Sequence, residues 1–144
     1  MREISAVVQI AAPPARVWQT LTDFASFPAW NPFIRRAEGP LVVGGRLRIT
    51  LRLGRVPVPL RPRVTAVVEP RQLRWLARLA VPGLFDVDRR FALEPAGPDG
   101  CRFHQAETAH GLLAPVLMPL LRRPIRRGYL QLNTALRNRV EQTG

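Results

Sequence analysis

A few polar residues in the last third of the sequence have the types and spacing needed for chemistry. They sit in two stretches where apolar and polar residues alternate, as in strands with one buried face. Alternation places Arg89 on the same face as Phe91, and it places Gln105 and Glu107 on the same face as Phe103. The sequence therefore predicts three polar side chains on an apolar wall.

An inward Arg89 is expected to have a partner, because burying an unpaired charge costs several kcal/mol. Glu107 on the neighbouring antiparallel strand is the natural candidate. We expect Arg89, Gln105 and Glu107 to orient the polar end of a bound small molecule. Two other interpretations stay open: a bulge turns Arg89 toward solvent, or Arg89 and Glu107 form a purely structural pair.

Large apolar residues would form the remainder of a pocket. Trp75 brings an indole donor, while Phe91 and Phe103 are interpreted mainly as core. Gly128 indicates either close packing or space for a ligand. Residues in or beside loops are expected at the rim, and one face of the C-terminal helix is expected to close the pocket. The predicted ligand-binding residues are Trp30, Phe33, Trp75, Phe85, Arg89, Phe91, Gln105, Glu107, Leu117, Leu121 and Tyr129.

Several kinds of catalytic site are not supported by the residues present. His104 and His110 lie six positions apart, roughly 20 Å along a strand, which is too far for one metal ion. Cys101 is the single cysteine, and no serine lies in a nucleophile elbow. No metal and no cofactor are therefore predicted. The one credible acid-base group is Glu107, with Arg89 tuning it and Tyr129 opposite.

The formal net charge of +12 raises the question of nucleic-acid binding. All the basic residues are arginine and they are scattered over many predicted strands, so nucleic acid is not a predicted partner. Arg122, Arg123, Arg126 and Arg127 form a basic stripe after the apolar segment 112–121. This stripe is either simply solvated or makes transient contact with an anionic membrane surface.

Periodicity predicts the elements that position these residues. Seven strands are expected, preceded or interrupted by two short helices over 15–22 and 23–27. The proline-rich piece 55–62 is interpreted as a connector. A helical period begins at Ala114; the first turns of this C-terminal helix should be kinked or irregular because of Pro119 and Pro124, and the regular helix should run mainly from about Pro124 to Glu141.

The 144 residues fit one domain spanning 1–144. The N-terminus makes a poor signal peptide, and the longest apolar run is too short and too proline-broken to span a bilayer. With one cysteine, the cytoplasm is the expected location. The oligomeric state, monomer or homodimer, is left open.

Two segments carry a resemblance to a known superfamily. The segment 17–24 followed by 27–33 looks like the helix pair and the entry to strand two of START-like, helix-grip (SRPBCC) proteins, and 103–107 leading to 111–115 resembles their last strand and turn into the helix. The resemblance implies an α+β helix-grip fold: a seven-stranded curved antiparallel sheet, two short helices and a long C-terminal helix. It also implies a cavity for a lipid- or polyketide-like molecule between sheet and helix, or alternatively a cyclase or dehydratase-type enzyme using Glu107.

Overall fold

The computed structural model describes residues 3–79 and 81–143. They form an α+β fold in which antiparallel strands surround a long C-terminal helix. The ends of the predicted 1–144 domain, and Ala80 in a predicted loop, lie outside the described residues. The elements are β1 Glu3–Ile10, α1 Pro14–Thr22, a 3-10 turn at Phe24–Ser26, α2 Phe27–Trp30, β2 Ile34–Glu38, β3 Arg48–Leu53, β4 Val56–Leu60, β5 Arg63–Val68, β6 Gln72–Leu79, β7 Phe85–Pro95, β8 Cys101–His110 and α3 Ala114–Thr143.

The strands form two sheets, not the single seven-stranded sheet predicted. Five strands pair in the order β1-β8-β7-β6-β5 and three in the order β2-β3-β4. An isolated bridge between Arg46 and Arg63 joins the two sheets. Pairing there involves few residues, and Pro62 has no N–H to extend it.

The additional strand is β4, which lies in the segment predicted to be a connector. Pro57 and Pro59 fall on alternate residues of a strand that pairs only with β3. In an antiparallel pair, alternate residues direct their N–H groups away from the partner, so a proline at those positions removes no ladder bond. An edge strand therefore tolerates both prolines.

Helix α3 begins at Ala114, where the change to a helical period predicts it, but it is helical already through its first turns, where the prolines predict an irregular segment. Pro119 and Pro124 both lie inside it. Each proline leaves the carbonyl four residues earlier without a helical donor, and those carbonyls belong to Pro115 and Leu120, both exposed. Water can satisfy groups on that side of the helix, which explains why the prolines do not end it.

The core lies between α3 and the inner faces of the strands. Ile125, Tyr129, Leu132, Leu136 and Val140 are buried on one stripe of α3, at spacings of three or four residues. On β7 and β8, residues 89 and 107 are directly opposite each other in the antiparallel register. This register brings the predicted polar residues together beneath α3.

Candidate functional site

An apolar cavity of about 80 Å³ lies between α3, the β3–β4 hairpin and the strands β6 and β7. Its wall is almost entirely aliphatic and aromatic, and Arg89 and Glu107 are the charged residues in it. The lining residues are Ile49, Leu51, Leu53, Val58, Leu60, Trp75, Ala77, Leu79, Phe85, Val87, Arg89, Glu107, Leu121 and Ile125. Such a wall, apolar with a few convergent polar groups, is typical of a small-molecule site.

A buried network of hydrogen bonds supports the polar end of the cavity. The Arg89 Nη2 donates to Gln105 Oε1 at 2.6 Å. The Gln105 Nε2 donates to the Asn133 Oδ1 at 2.7 Å and to the Tyr129 carbonyl oxygen at 3.1 Å. Strands β7 and β8 are thereby attached to α3 by side chains that are all less than 5% exposed. These hydrogen bonds between buried side chains restrict the movement of the site.

Arg89 also lies among three aromatic rings. Its Cζ is 4.5 Å from the ring centroid of Tyr129, 4.8 Å from that of Phe91 and 5.1 Å from that of Phe33. These distances are in the range of cation–π attraction, which offsets part of the cost of burying a guanidinium. The three rings fix the guanidinium plane, and its Nε and Nη1 have no protein partner.

The position of the Phe33 ring follows from two local features. The side-chain oxygen of Asn31 accepts hydrogen bonds from the backbone N–H groups of Phe33 and Ile34, at 3.0 Å and 2.8 Å. A Cβ on Gly128 would lie only 2.2 Å from Phe33 Cδ1, so no larger residue fits there. Gly128 therefore serves close packing rather than space for a ligand.

Glu107 is buried beside the cavity. Its Oε1 accepts a hydrogen bond of 2.9 Å from the Tyr129 hydroxyl, and its Oε2 has no protein partner. Burial raises the pKa of the Glu107 carboxyl, while Arg89 and the Tyr129 hydrogen bond oppose this shift. The pKa of Tyr129 is also raised, mainly by its own burial. Glu107 is thus the carboxyl whose environment favours holding a proton.

One family model matches almost the whole of this chain. The model of the family described as "Polyketide cyclase / dehydrase and lipid transport" matches residues 1–141. The chain belongs to this family. No curated protein sequence matches the chain.

Several solved structures have a fold similar to that of this chain over nearly its whole length. A START superfamily protein from Mycobacterium smegmatis is 23% identical, with a TM-score of 0.78 and 99% of both chains covered. The di-domain ARO/CYC BexL from the BE-7585A biosynthetic pathway is 17% identical with a TM-score of 0.76, covering 98% of this chain and 47% of that one. Norcoclaurine synthase from Thalictrum flavum is 14% identical with a TM-score of 0.73, covering 98% and 94%. At these identities the likeness shows the START-like fold alone.

The predicted partnership of Arg89 with Glu107 is wrong in its detail. Although opposite each other in the register, the two side chains form no ion pair. Gln105 accepts the hydrogen bond from Arg89, and the Tyr129 hydroxyl donates a hydrogen bond to Glu107. The aromatic rings around the guanidinium hold it toward α3, where residues distant in sequence provide its surroundings.

The structure divides the predicted ligand-binding residues into three groups. Trp75, Phe85, Arg89, Glu107 and Leu121 line the cavity. Phe33, Phe91, Gln105 and Tyr129 lie behind it, around Arg89 or bonded to it. Trp30 packs on Phe27 and donates to Ser26, and Leu117 packs on the core; neither reaches the cavity.

The smaller sheet contributes a part of the cavity wall that was not among the predicted site residues. Ile49, Leu51, Leu53, Val58 and Leu60 come from β3 and β4. The alternation along β3 was an available signal, but β4 had been assigned to a connector. Asn133 was not predicted, because the sequence does not show how deeply a polar residue of an amphipathic helix is buried.

Other chemical groups were also located. The described residues include no cluster of His, Cys, Asp and Glu able to hold a metal ion. Cys101 begins β8 and is buried, which raises the pKa of its thiol to about 11 and keeps it protonated. Within the described part of the chain, no helix is both long and apolar enough to cross a bilayer.

The pKa of Glu107 has a measurable consequence for stability. Because its pKa is raised in the folded chain, its contribution to stability is largest below the ordinary carboxyl pKa and is lost as pH rises through the raised value. We expect the free energy of unfolding of wild type, minus that of Glu107→Gln, to decrease as pH rises from the ordinary carboxyl pKa toward neutrality. Urea unfolding at a series of pH values measures this difference. A difference that does not vary with pH would contradict the assignment.

Proposed function

We propose that this protein binds a small hydrophobic molecule in the cavity, with a polar atom of that molecule held at Arg89 and Glu107. The observation that carries the proposal is the combination of an apolar wall with unpartnered polar atoms at one end, namely Arg89 Nε and Nη1 and Glu107 Oε2. Buried polar atoms without a partner are costly, and a ligand carbonyl or hydroxyl would satisfy them. A lipid-like or polyketide-like molecule has this chemistry.

The cavity size constrains the ligand. About 80 Å³ is small beside the roughly 300–1,000 Å³ of most drug-sized sites. Leu53, Val58 and Leu60 on the β3–β4 hairpin are only partly buried, as is Leu121 on α3. Together with the more exposed Leu79 they form the mouth of the cavity, where side chains have more room to move than in the buried part of the wall. A narrow alkyl chain therefore suits the cavity better than a wide ring system.

Filling the cavity should weaken binding of an apolar probe. Ala77 lies in the wall and is 5% exposed. We expect Ala77→Phe to weaken binding of methyl cis-parinarate, a neutral fluorescent probe with a narrow polyene chain, by at least about tenfold, because the new ring occupies the space. Probe fluorescence measures the dissociation constant.

A matched control adds the same ring outside the cavity. Ala25→Phe, on the exposed 3-10 turn, should leave probe affinity unchanged. Thermal unfolding of both variants verifies that they are folded. Equal affinity of wild type and folded Ala77→Phe would rule out the cavity as the binding place.

A second candidate function is an acid-base enzyme of the cyclase or dehydratase kind. The observation favouring it is that the Glu107 carboxyl has a raised pKa, one free oxygen and access to the cavity. Similar structures include an ARO/CYC and a norcoclaurine synthase, which supports the fold's capacity for such chemistry by analogy. Glu107→Gln would then retain ligand binding but lose turnover.

Transient contact with an anionic membrane surface stays a prediction. Leu112, Val116 and Leu120 are 81%, 61% and 72% exposed, spaced four residues apart where α3 begins. No acidic residue occurs from residue 111 to residue 140, which includes the basic stripe. An exposed apolar row beside arginines is the pattern of an interfacial helix. The choice between monomer and homodimer also stays a prediction.

A further inference from the structure

A second groove lies beside the cavity, and its chemistry is different. It measures about 410 Å³ and runs between the turn after β3 and the middle of α3. Three arginines line it: Arg52 and Arg55 from the hairpin and Arg127 from the helix. Gln131 adds an amide, and none of the lining residues is acidic.

The three arginines lack a counter-charge. The ion pairs formed by the described residues use other arginines. Arg52 donates its Nε to the Gly54 carbonyl oxygen at 3.1 Å, which leaves both of its terminal nitrogens free and steadies the side chain. Guanidinium groups converging on one space repel each other, and an anion between them would relieve that repulsion.

The groove adjoins the cavity along the same gap in the fold. Consecutive residues contribute to each space: Leu53 lines the cavity and Gly54 the groove, while Ile125 lines the cavity and Pro124 the groove. The arginines of the groove therefore lie next to the mouth of the cavity. A molecule that extends out of the mouth would meet them.

We propose that the groove binds the anionic group, a phosphate or carboxylate, of an amphipathic ligand whose apolar part occupies the cavity. This inference rests on the proposed function and narrows the ligand class to anionic amphiphiles. Arg offers planar pairs of donors that match phosphate and carboxylate oxygens. Because the groove is open to solvent, salt should weaken this recognition.

The test compares two alkyl competitors that differ only in their head group. Decyl phosphate, below its micelle concentration, and decanol each displace methyl cis-parinarate from the protein. For wild type we expect decyl phosphate to displace half of the probe at a concentration about tenfold lower than decanol requires. In the triple variant Arg52→Gln, Arg55→Gln, Arg127→Gln, that advantage should disappear while displacement by decanol is unchanged.

A charge-matched control separates the groove from net charge. Arg36, Arg61 and Arg63 are exposed and do not line the groove, so their triple change to Gln should keep the advantage. Loss of the advantage in this control, or its absence in wild type, would overturn the inference. Failure of wild type to bind the neutral probe at all would instead refute the proposed function.

Inorganic phosphate distinguishes an amphiphile from a free anion. At constant ionic strength, millimolar phosphate should reduce the advantage of decyl phosphate by competing for the same guanidinium groups. If phosphate raised the thermal midpoint of wild type but not of the groove variant, and decyl phosphate had no advantage, the groove would bind free anions and the inference would be wrong.

Discussion

Arg89→Met should lower the free energy of unfolding by about 3 kcal/mol at neutral pH, as expected when one member of a buried charged network is removed. The change leaves Gln105 Oε1 without its donor and removes the cation beside Glu107. It also removes the cation–π contacts to three rings. Urea unfolding followed by tryptophan fluorescence measures the loss.

The loss of unfolding free energy caused by Arg89→Met should be smaller at acidic pH, because a protonated Glu107 is neutral and is not stabilised by a nearby cation. Arg89 opposes the rise in the pKa of Glu107 that burial causes, so the pKa should rise further without Arg89. The free energy of unfolding should then fall more steeply as pH rises above the ordinary carboxyl pKa. The double variant Arg89→Met, Glu107→Gln should recover part of the loss at neutral pH. If Arg89→Met were as stable as wild type there, the guanidinium would have no structural role.

Gly128→Ala should destabilise the protein by about 2 kcal/mol, although the same change at an open helical site gains up to about 1 kcal/mol. The new methyl would lie 2.2 Å from the Phe33 ring. That ring cannot move freely, because it is fully buried between Tyr129 and the Arg89 guanidinium. Overpacking therefore outweighs helix propensity. Urea unfolding measures the net effect.

A compensating variant shows whether the collision is the cause. Phe33→Leu, Gly128→Ala should be more stable than additivity of the two single changes predicts, because leucine leaves room for the methyl. The exposed position Thr134 on the same helix provides a control, where Ala should have a small effect. Additive losses in the double variant would contradict the packing explanation.

These two predictions concern one arrangement that links packing to function. Gly128 allows Phe33 to approach α3, Phe33 stacks near Arg89, and Arg89 forms the polar end of the cavity. A methyl group added at Gly128 should therefore also shift the guanidinium and weaken ligand binding. Probe binding to Gly128→Ala, measured where the variant is fully folded, would report this coupling.

Two kinds of information could be read from the residues alone: the resemblance to a known family and the inward faces of the strands. Alternation placed Arg89, Gln105 and Glu107 on the buried face, and the structure has all three buried. The amphipathic stripe through Tyr129 correctly located the closing helix. These features are local, because strand and helix periods depend only on neighbours in sequence.

The pairing of polar groups and the position of the cavity could not be predicted from the sequence. Gln105, rather than Glu107, binds Arg89 because rings from β7, from α3 and from the bend before β2 orient the guanidinium. Two alternate prolines suggested a connector, yet an edge position made β4 a strand and a wall of the cavity. Such outcomes depend on which elements meet across long sequence distances, and no local pattern encodes those contacts.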